Sequence, residues 1–183
     1  VKSILDAISS SDNSMNLLTW RTKDSLRDEL KQQSNNVISC FEKLLLNKPF
    51  EERFQEFKEY GKSVFSANNA QKILNERTAA LFLACFDPET YAIYKPDLYK
   101  LTIKYLGIQS VGNISYPHYL DILKEIAEHI NKDNELIEKL HSETSGLIWS
   151  DLLNAQDVLW QMQVYMESSM PKNWIQQMYD EAI

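Results

Sequence analysis

Glycine is scarce, with four residues in a chain of 183. A phosphate-cradling loop ahead of a Lys-Ser/Thr pair and a dinucleotide-binding fingerprint both need clustered glycines, and neither pattern occurs, which excludes a self-sufficient P-loop nucleotide hydrolase of the usual type. Cysteine is nearly absent. Cys40 and Cys85 both lie in apolar surroundings, so buried free thiols are expected rather than a disulfide framework or a reactive site. Long hydrophobic runs are missing as well: the stretch 81–86 is core-sized, far short of the roughly 20 apolar residues that span a bilayer. No secretory signal opens the chain, and a cytoplasmic location is expected.

Positive charge is in deficit, with 19 Lys and Arg against 26 Asp and Glu and a formal net charge of −7. Such a balance disfavours nonspecific attraction to phosphate backbones and confines any nucleic-acid contact to a local basic patch. Metal and nucleophile signatures are lacking too. There is no HExxH, CxxC or nucleophile elbow. His118 and His129 fall about three turns apart on one helix, too distant to share a metal, and His141 stands alone. Glu52 with Glu56, Glu125 with Glu128, and Glu135 with Glu138 are helically close but sit among lysines on solvated faces, and Glu56-Phe57-Lys58 has no strand partner for nuclease chemistry. The chain is therefore expected to be non-catalytic and to need neither cofactor nor metal.

Apolar periodicity supplies the fold class: a compact, mainly α domain of about eight helices with little or no β structure, spanning 1–183 as one unit. Residues 1–10 carry Ile4, Leu5 and Ile8 at one-turn spacing and read as a short helix or helical arm, and 9–16 reads as a loop, so that 1–16 could form a flexible arm. Residues 22–46 read as one long helix or two consecutive ones, since 32–36 interrupts the apolar stripe; Thr22 is the expected cap. A Phe50, Phe54, Phe57 stripe follows Pro49, and Gly61 is the expected stop. Residues 67–86 read as a single helix started by Ser66 and apolar nearly all round in its second half, hence the centre of the core. Asp87-Pro88 breaks it, and the segment up to Pro96 reads as an extended connection in which Tyr91 and Tyr94 pack their rings. Further helices are expected over 98–106, capped by Asp97 and closed by Gly107, and then from Ser115, over 133–140 and over 150–167. A last helix after Met170-Pro171 would carry Trp174, Ile175 and Met178.

One constellation suits a nucleic-acid backbone. Lys100 and Lys104 share a helix face, Lys95 lies on the approach, Tyr99 is adjacent, and Arg77 extends the patch with Lys72 and Lys62 if the helices pack suitably. On the structural side, Leu152, Leu153, Leu159 and Trp160 are expected to pack the terminal helix onto the core near Phe86, with Gln156 and Asp157 hydrogen-bonding backbone in the 91–96 connection.

Two stretches carry a resemblance. Asp87-Pro88-Glu89-Thr90-Tyr91-Ala92-Ile93-Tyr94-Lys95 is similar to a segment like Asn-Pro-Glu-Lys-Tyr-Tyr-Ile-Tyr-Lys that precedes the AAA+ motor in McrB-like modification-dependent restriction proteins. Leu152-Leu153-Asn154-Ala155-Gln156-Asp157-Val158-Leu159-Trp160 resembles the later Leu-Leu-x-Ala-Gln-Asp-Phe-x-Trp pattern of the same proteins, with Val158 where an aromatic is usual. The resemblance implies a modular antiviral defence protein in which an N-terminal region recognises double-stranded or modified DNA while a separate motor hydrolyses GTP or ATP and a partner nuclease cuts. This chain carries neither the motor nor the nuclease signatures, and it begins at Val1, so an N-terminal fragment of a larger protein is expected. Two other readings stand beside it. One is a helical interaction or regulatory domain that uses an exposed apolar groove with Trp174 and Met178; the other is an enzyme of unfamiliar type with convergent polar residues in a deep pocket.

Overall fold

The computed structural model describes residues 1–10, 17–112, 114–143 and 150–169. Nine helices fill them: α1 (Lys2–Ser10), α2 (Trp20–Glu42), α3 (Phe50–Val64), α4 (Ala67–Ile73), α5 (Glu76–Phe86), α6 (Pro96–Leu106), α7 (Tyr116–Ile130), α8 (Asn134–Glu143) and α9 (Asp151–Ser169). No strand occurs among the described residues, and the chain forms a compact, mainly α domain. The helix expected after Met170 lies outside them. None of the described helices is long and apolar enough to cross a membrane.

Helix α2 begins at a cap three residues ahead of the expected one. Thr19 is in extended backbone and its hydroxyl accepts the Thr22 amide at 3.2 Å, while Thr22 itself is buried and donates to the Lys72 carbonyl at 3.3 Å. The polar interruption at 32–36 is a kink: Gln33 leaves helical geometry (φ −150°, ψ 54°) and turns its side-chain amide to the Val64 carbonyl at 2.7 Å. That amide also meets Glu29, whose buried carboxylate gathers the Asn69 side chain at 2.8 Å and the Ser66 amide at 3.2 Å. Burial acts to raise the Glu29 pKa, but the hydrogen bonds from Gln33, Asn69 and Ser66 outweigh it and hold the carboxyl below its usual value. The kink thereby ties α2 to the loop that opens α4.

Gly61 does not stop α3. It sits inside the helix at a close approach, where a Cβ would overlap the Leu74 side chain and lie 3.1 Å from Cys40 Sγ. The helix expected over 67–86 is two helices. Asn75 adopts extended backbone and its side-chain oxygen accepts the Thr78 amide at 3.0 Å, so the local cap outcompetes a continuous helix. Downstream of this break, 78–84 are all buried, and Phe82 packs against Phe41 with ring centres 5.0 Å apart; Phe41 in turn meets Phe57 at 5.1 Å. Each fully buried ring of this kind contributes about 2–3 kcal/mol.

Helix α1 docks on α2 and α5 with Leu5 fully buried. In the second half of the chain α9 packs mainly on α7 and α6. The halves meet where Phe50 packs against Tyr116 at 5.1 Å. Of the two thiols, Cys40 is buried as expected and Cys85 is exposed, because it falls on the outer side of α5.

Candidate nucleic-acid interface

The extended connection between α5 and α6 is held on every side by tyrosine hydroxyls and a glutamine. Tyr116 donates to the Ala92 carbonyl at 2.9 Å, and Gln156 of α9 donates to the Ile93 carbonyl and to Tyr119 Oη, the latter at 2.9 Å. Tyr94 shares a short hydrogen bond with Ser115. Tyr91 accepts from Arg53 Nη1 at 3.1 Å, and the same guanidinium nitrogen donates to the Leu44 carbonyl at 2.6 Å. The rings interlock: Tyr94 lies 5.6 Å from Tyr116 and 5.5 Å from Tyr119. Burial pushes the Tyr94 phenol up to about 12 and raises Tyr116 and Tyr119 as well, so all three stay protonated at neutral pH, with Tyr116 donating and Tyr119 accepting in the bonds above. Tyr91 and Tyr94 thus bond outward from the connection, and Gln156 bonds onto it. Asp157 forms no hydrogen bond to the connection among the described residues.

The two stretches that carry the McrB-like resemblance are therefore in direct contact, through Gln156 and Ile93. A second residue anchors the same region from α5. Glu76 accepts the backbone amides of Ser115 and Tyr116 at 2.9 Å each, closing the N-terminus of α7 with a carboxylate where the sequence pointed to Ser115 alone. Glu76 reads in sequence as an ordinary first-turn acid of its own helix, and no spacing signal links it to a position about 40 residues on.

The connection exits into α6, with Lys95 at its N-cap position, Pro96 as its first residue and Asp97 within the first turn rather than at the cap. Lys100 and Lys104 are exposed one turn apart. Among the described residues neither of them nor Lys95 lies within ion-pair distance of a carboxylate; the ion pairs present join Arg27 to Asp24, Lys48 to Glu56 and Lys124 to Asp121. Instead the Lys95 ammonium lies 3.8 Å from the centre of the Trp160 ring. A contact of that kind at a partly exposed site contributes about 0.5–1 kcal/mol, less than a charge-assisted hydrogen bond. Arg77 donates from Nε to the Leu17 carbonyl at 2.7 Å, and burial lowers its pKa while Asp97 opposes the shift. Burial first, and then the nearby Arg77 charge, depress the Lys95 pKa. Lys95 and Arg77 are therefore neighbours, and the positive strip runs from α5 across the connection and along α6.

Two expectations are corrected here. Tyr99 points inward: its ring is 4% exposed, packs against Tyr94, Tyr119 and His118, and its hydroxyl pairs with His118 Nδ1 at 2.8 Å, leaving no face for a nucleic acid. Trp160 points outward. It is 39% exposed, because Leu152, Ala155 and Leu159 occupy the buried side of α9, and the principal neighbours of that helix are α7 and α6. Phe86 is likewise exposed, stacked on Phe82. Lys62 stands on α3, and Lys72 lies in the last turn of α4 with its carbonyl accepting from Thr22 and Asn75.

A cleft of about 340 Å³ opens beside Arg77, lined also by Thr19, Thr22, Asn75, Glu76 and Tyr94. Its polar groups are committed to the fold: Thr19 and Asn75 cap α2 and α5, Glu76 closes α7, and Tyr94 holds Ser115. No group of three His, Cys, Asp or Glu among the described residues is placed to hold a metal ion. Compared with known proteins, the chain matches no family model, no curated protein and no solved structure.

Proposed function

We propose that the chain is a non-catalytic DNA-recognition or specificity domain of a McrB-like restriction system, with nucleotide hydrolysis and DNA cleavage supplied by other domains or subunits. The observation that carries this reading is the strip Arg77, Lys95, Lys100 and Lys104, whose three lysines have no carboxylate partner among the described residues of a chain that is acidic overall. Lysines without an ion-pair partner among the described residues, set on one helix and its approach, suit a phosphate backbone, and the negative remainder limits contact to that strip. The resemblance of the stretches joined by Gln156 and Ile93 supports the assignment to this kind of system.

The test is binding to unmodified and methylated duplexes over a salt titration. Affinity that falls with salt and is lost in a Lys100→Glu, Lys104→Glu variant supports DNA contact; preference for the methylated duplex supports the restriction setting. A second reading, a helical interaction domain, is favoured by exposed Leu106, Val111 and Val164. It requires that no salt-dependent DNA binding be found.

A further inference from the structure

We propose that the Trp160 ring, covered by the Lys95 ammonium, is a stacking platform for an unpaired base, so that the strip along α6 takes single-stranded DNA in preference to duplex. The inference rests on the DNA reading above and names the form of the ligand. Within a duplex every base face is covered by its neighbours, so an aromatic ring among phosphate-facing cations gains nothing from duplex contact. An unpaired base offers its π-face to any aromatic ring, and alternation of cations with such a ring is how single strands are held without sequence preference.

Three features place the ring in that role. Trp160 is exposed on α9 beside α6, the helix that bears Lys100 and Lys104, and the two helices pack together. Its covering group is a lysine that has no carboxylate partner among the described residues and whose ammonium lies 3.8 Å from the ring centre. An arriving nucleotide satisfies both members of this pair at once: the phosphate takes the ammonium, and the uncovered indole takes the base. Val164, one turn further along α9 and 47% exposed, continues the apolar surface beneath a second base. The lower charge density of a single strand also suits a chain whose net charge is −7.

The experiment compares a short oligothymidylate with a duplex of equal length, for the unsubstituted chain and for Trp160→Leu and Trp160→Phe. The expected result is tighter binding of the single strand, about tenfold weaker in Trp160→Leu and largely restored in Trp160→Phe, with duplex affinity unchanged throughout. A second measurement needs no variant: an oligonucleotide carrying 5-bromodeoxyuridine, irradiated on the unsubstituted chain, should cross-link to the peptide that contains Trp160. Single-strand affinity unchanged in Trp160→Leu but lost in Lys100→Glu, or cross-links confined to other peptides, overturns the stacking platform and leaves the DNA reading standing. No binding of either form overturns both.

Discussion

Glu76, the first residue of α5, accepts the amides of Ser115 and Tyr116, the residues that open α7. A carboxylate from one helix therefore satisfies the free amides of another and fixes the angle at which the second half of the chain meets the first. Removing it exposes two amide donors and forfeits a favourable charge at the positive end of α7.

Glu76→Ala is accordingly expected to lower unfolding free energy by about 1–2 kcal/mol, with Glu76→Gln losing less because an acceptor remains. Urea denaturation of the two variants measures the difference. Equal stability of both variants and the unsubstituted chain would contradict the capping role.

The Glu29 network gives a pH dependence. Its carboxyl is held below the ordinary value of 4.5 by Gln33, Asn69 and Ser66 against the opposing effect of burial. A folded-state pKa below the unfolded one contributes stability above the unfolded pKa and loses it as pH falls through the folded pKa. Glu29→Gln should therefore be less stable than the unsubstituted chain at pH 7, by about 1–3 kcal/mol, and the gap should narrow as pH falls below 4.5. A gap independent of pH would remove the charge from this explanation.

At the alkaline end the Tyr94 phenol acts with the opposite sign. Burial raises it from 10.0 to about 12, so the stability it contributes is complete below pH 10 and is lost as pH climbs towards 12. Tyr94→Phe should flatten the decline in stability over that interval, read by thermal unfolding at stepped pH. Identical alkaline profiles for the two proteins would count against a buried Tyr94 hydroxyl.

Trp160→Ala would cost about 3–5 kcal/mol if the ring were a fully buried anchor. With the ring 39% exposed and covered by a lysine, the expected loss is about 1–2 kcal/mol. Denaturant unfolding decides between the two figures.

The thiols should differ in reactivity. Cys40 is fully buried, with its thiol pushed up to about 12 by burial, while Cys85 is exposed. One equivalent of thiol reagent should react in the folded chain, at Cys85, and a second only on unfolding; rapid modification of Cys40 would place that residue at the surface.

Much of this architecture was legible in the residues because helical burial repeats on a period that the sequence displays. The stripe from Tyr119 to Ile130 in α7 and the punctuation at Asp87-Pro88 and Gly107 each mark an element that the structure contains. What escaped depends on contacts between distant positions. Gly61 reads as a stop but is a close approach to Leu74 and Cys40, and Asn75 reads as an ordinary helical residue but is a cap. On the strip, Lys100 and Lys104 sit on the exposed face that their spacing suggests, whereas Tyr99 and Trp160 exchange their expected inside and outside places. An aromatic residue can satisfy either side of a helix, and only the packing of α6 against α7 and α9 decides which it takes.

The central claim, that Lys95, Lys100 and Lys104 meet a phosphate backbone, is tested most directly by the salt dependence of DNA binding for the unsubstituted chain and for Lys100→Gln, Lys104→Gln. The expected result is an affinity that declines with salt, on a log–log slope shallower by about 2 in the double variant on duplex and by slightly less on single strands. Slopes that coincide, or no salt-dependent binding to any DNA form, would contradict it.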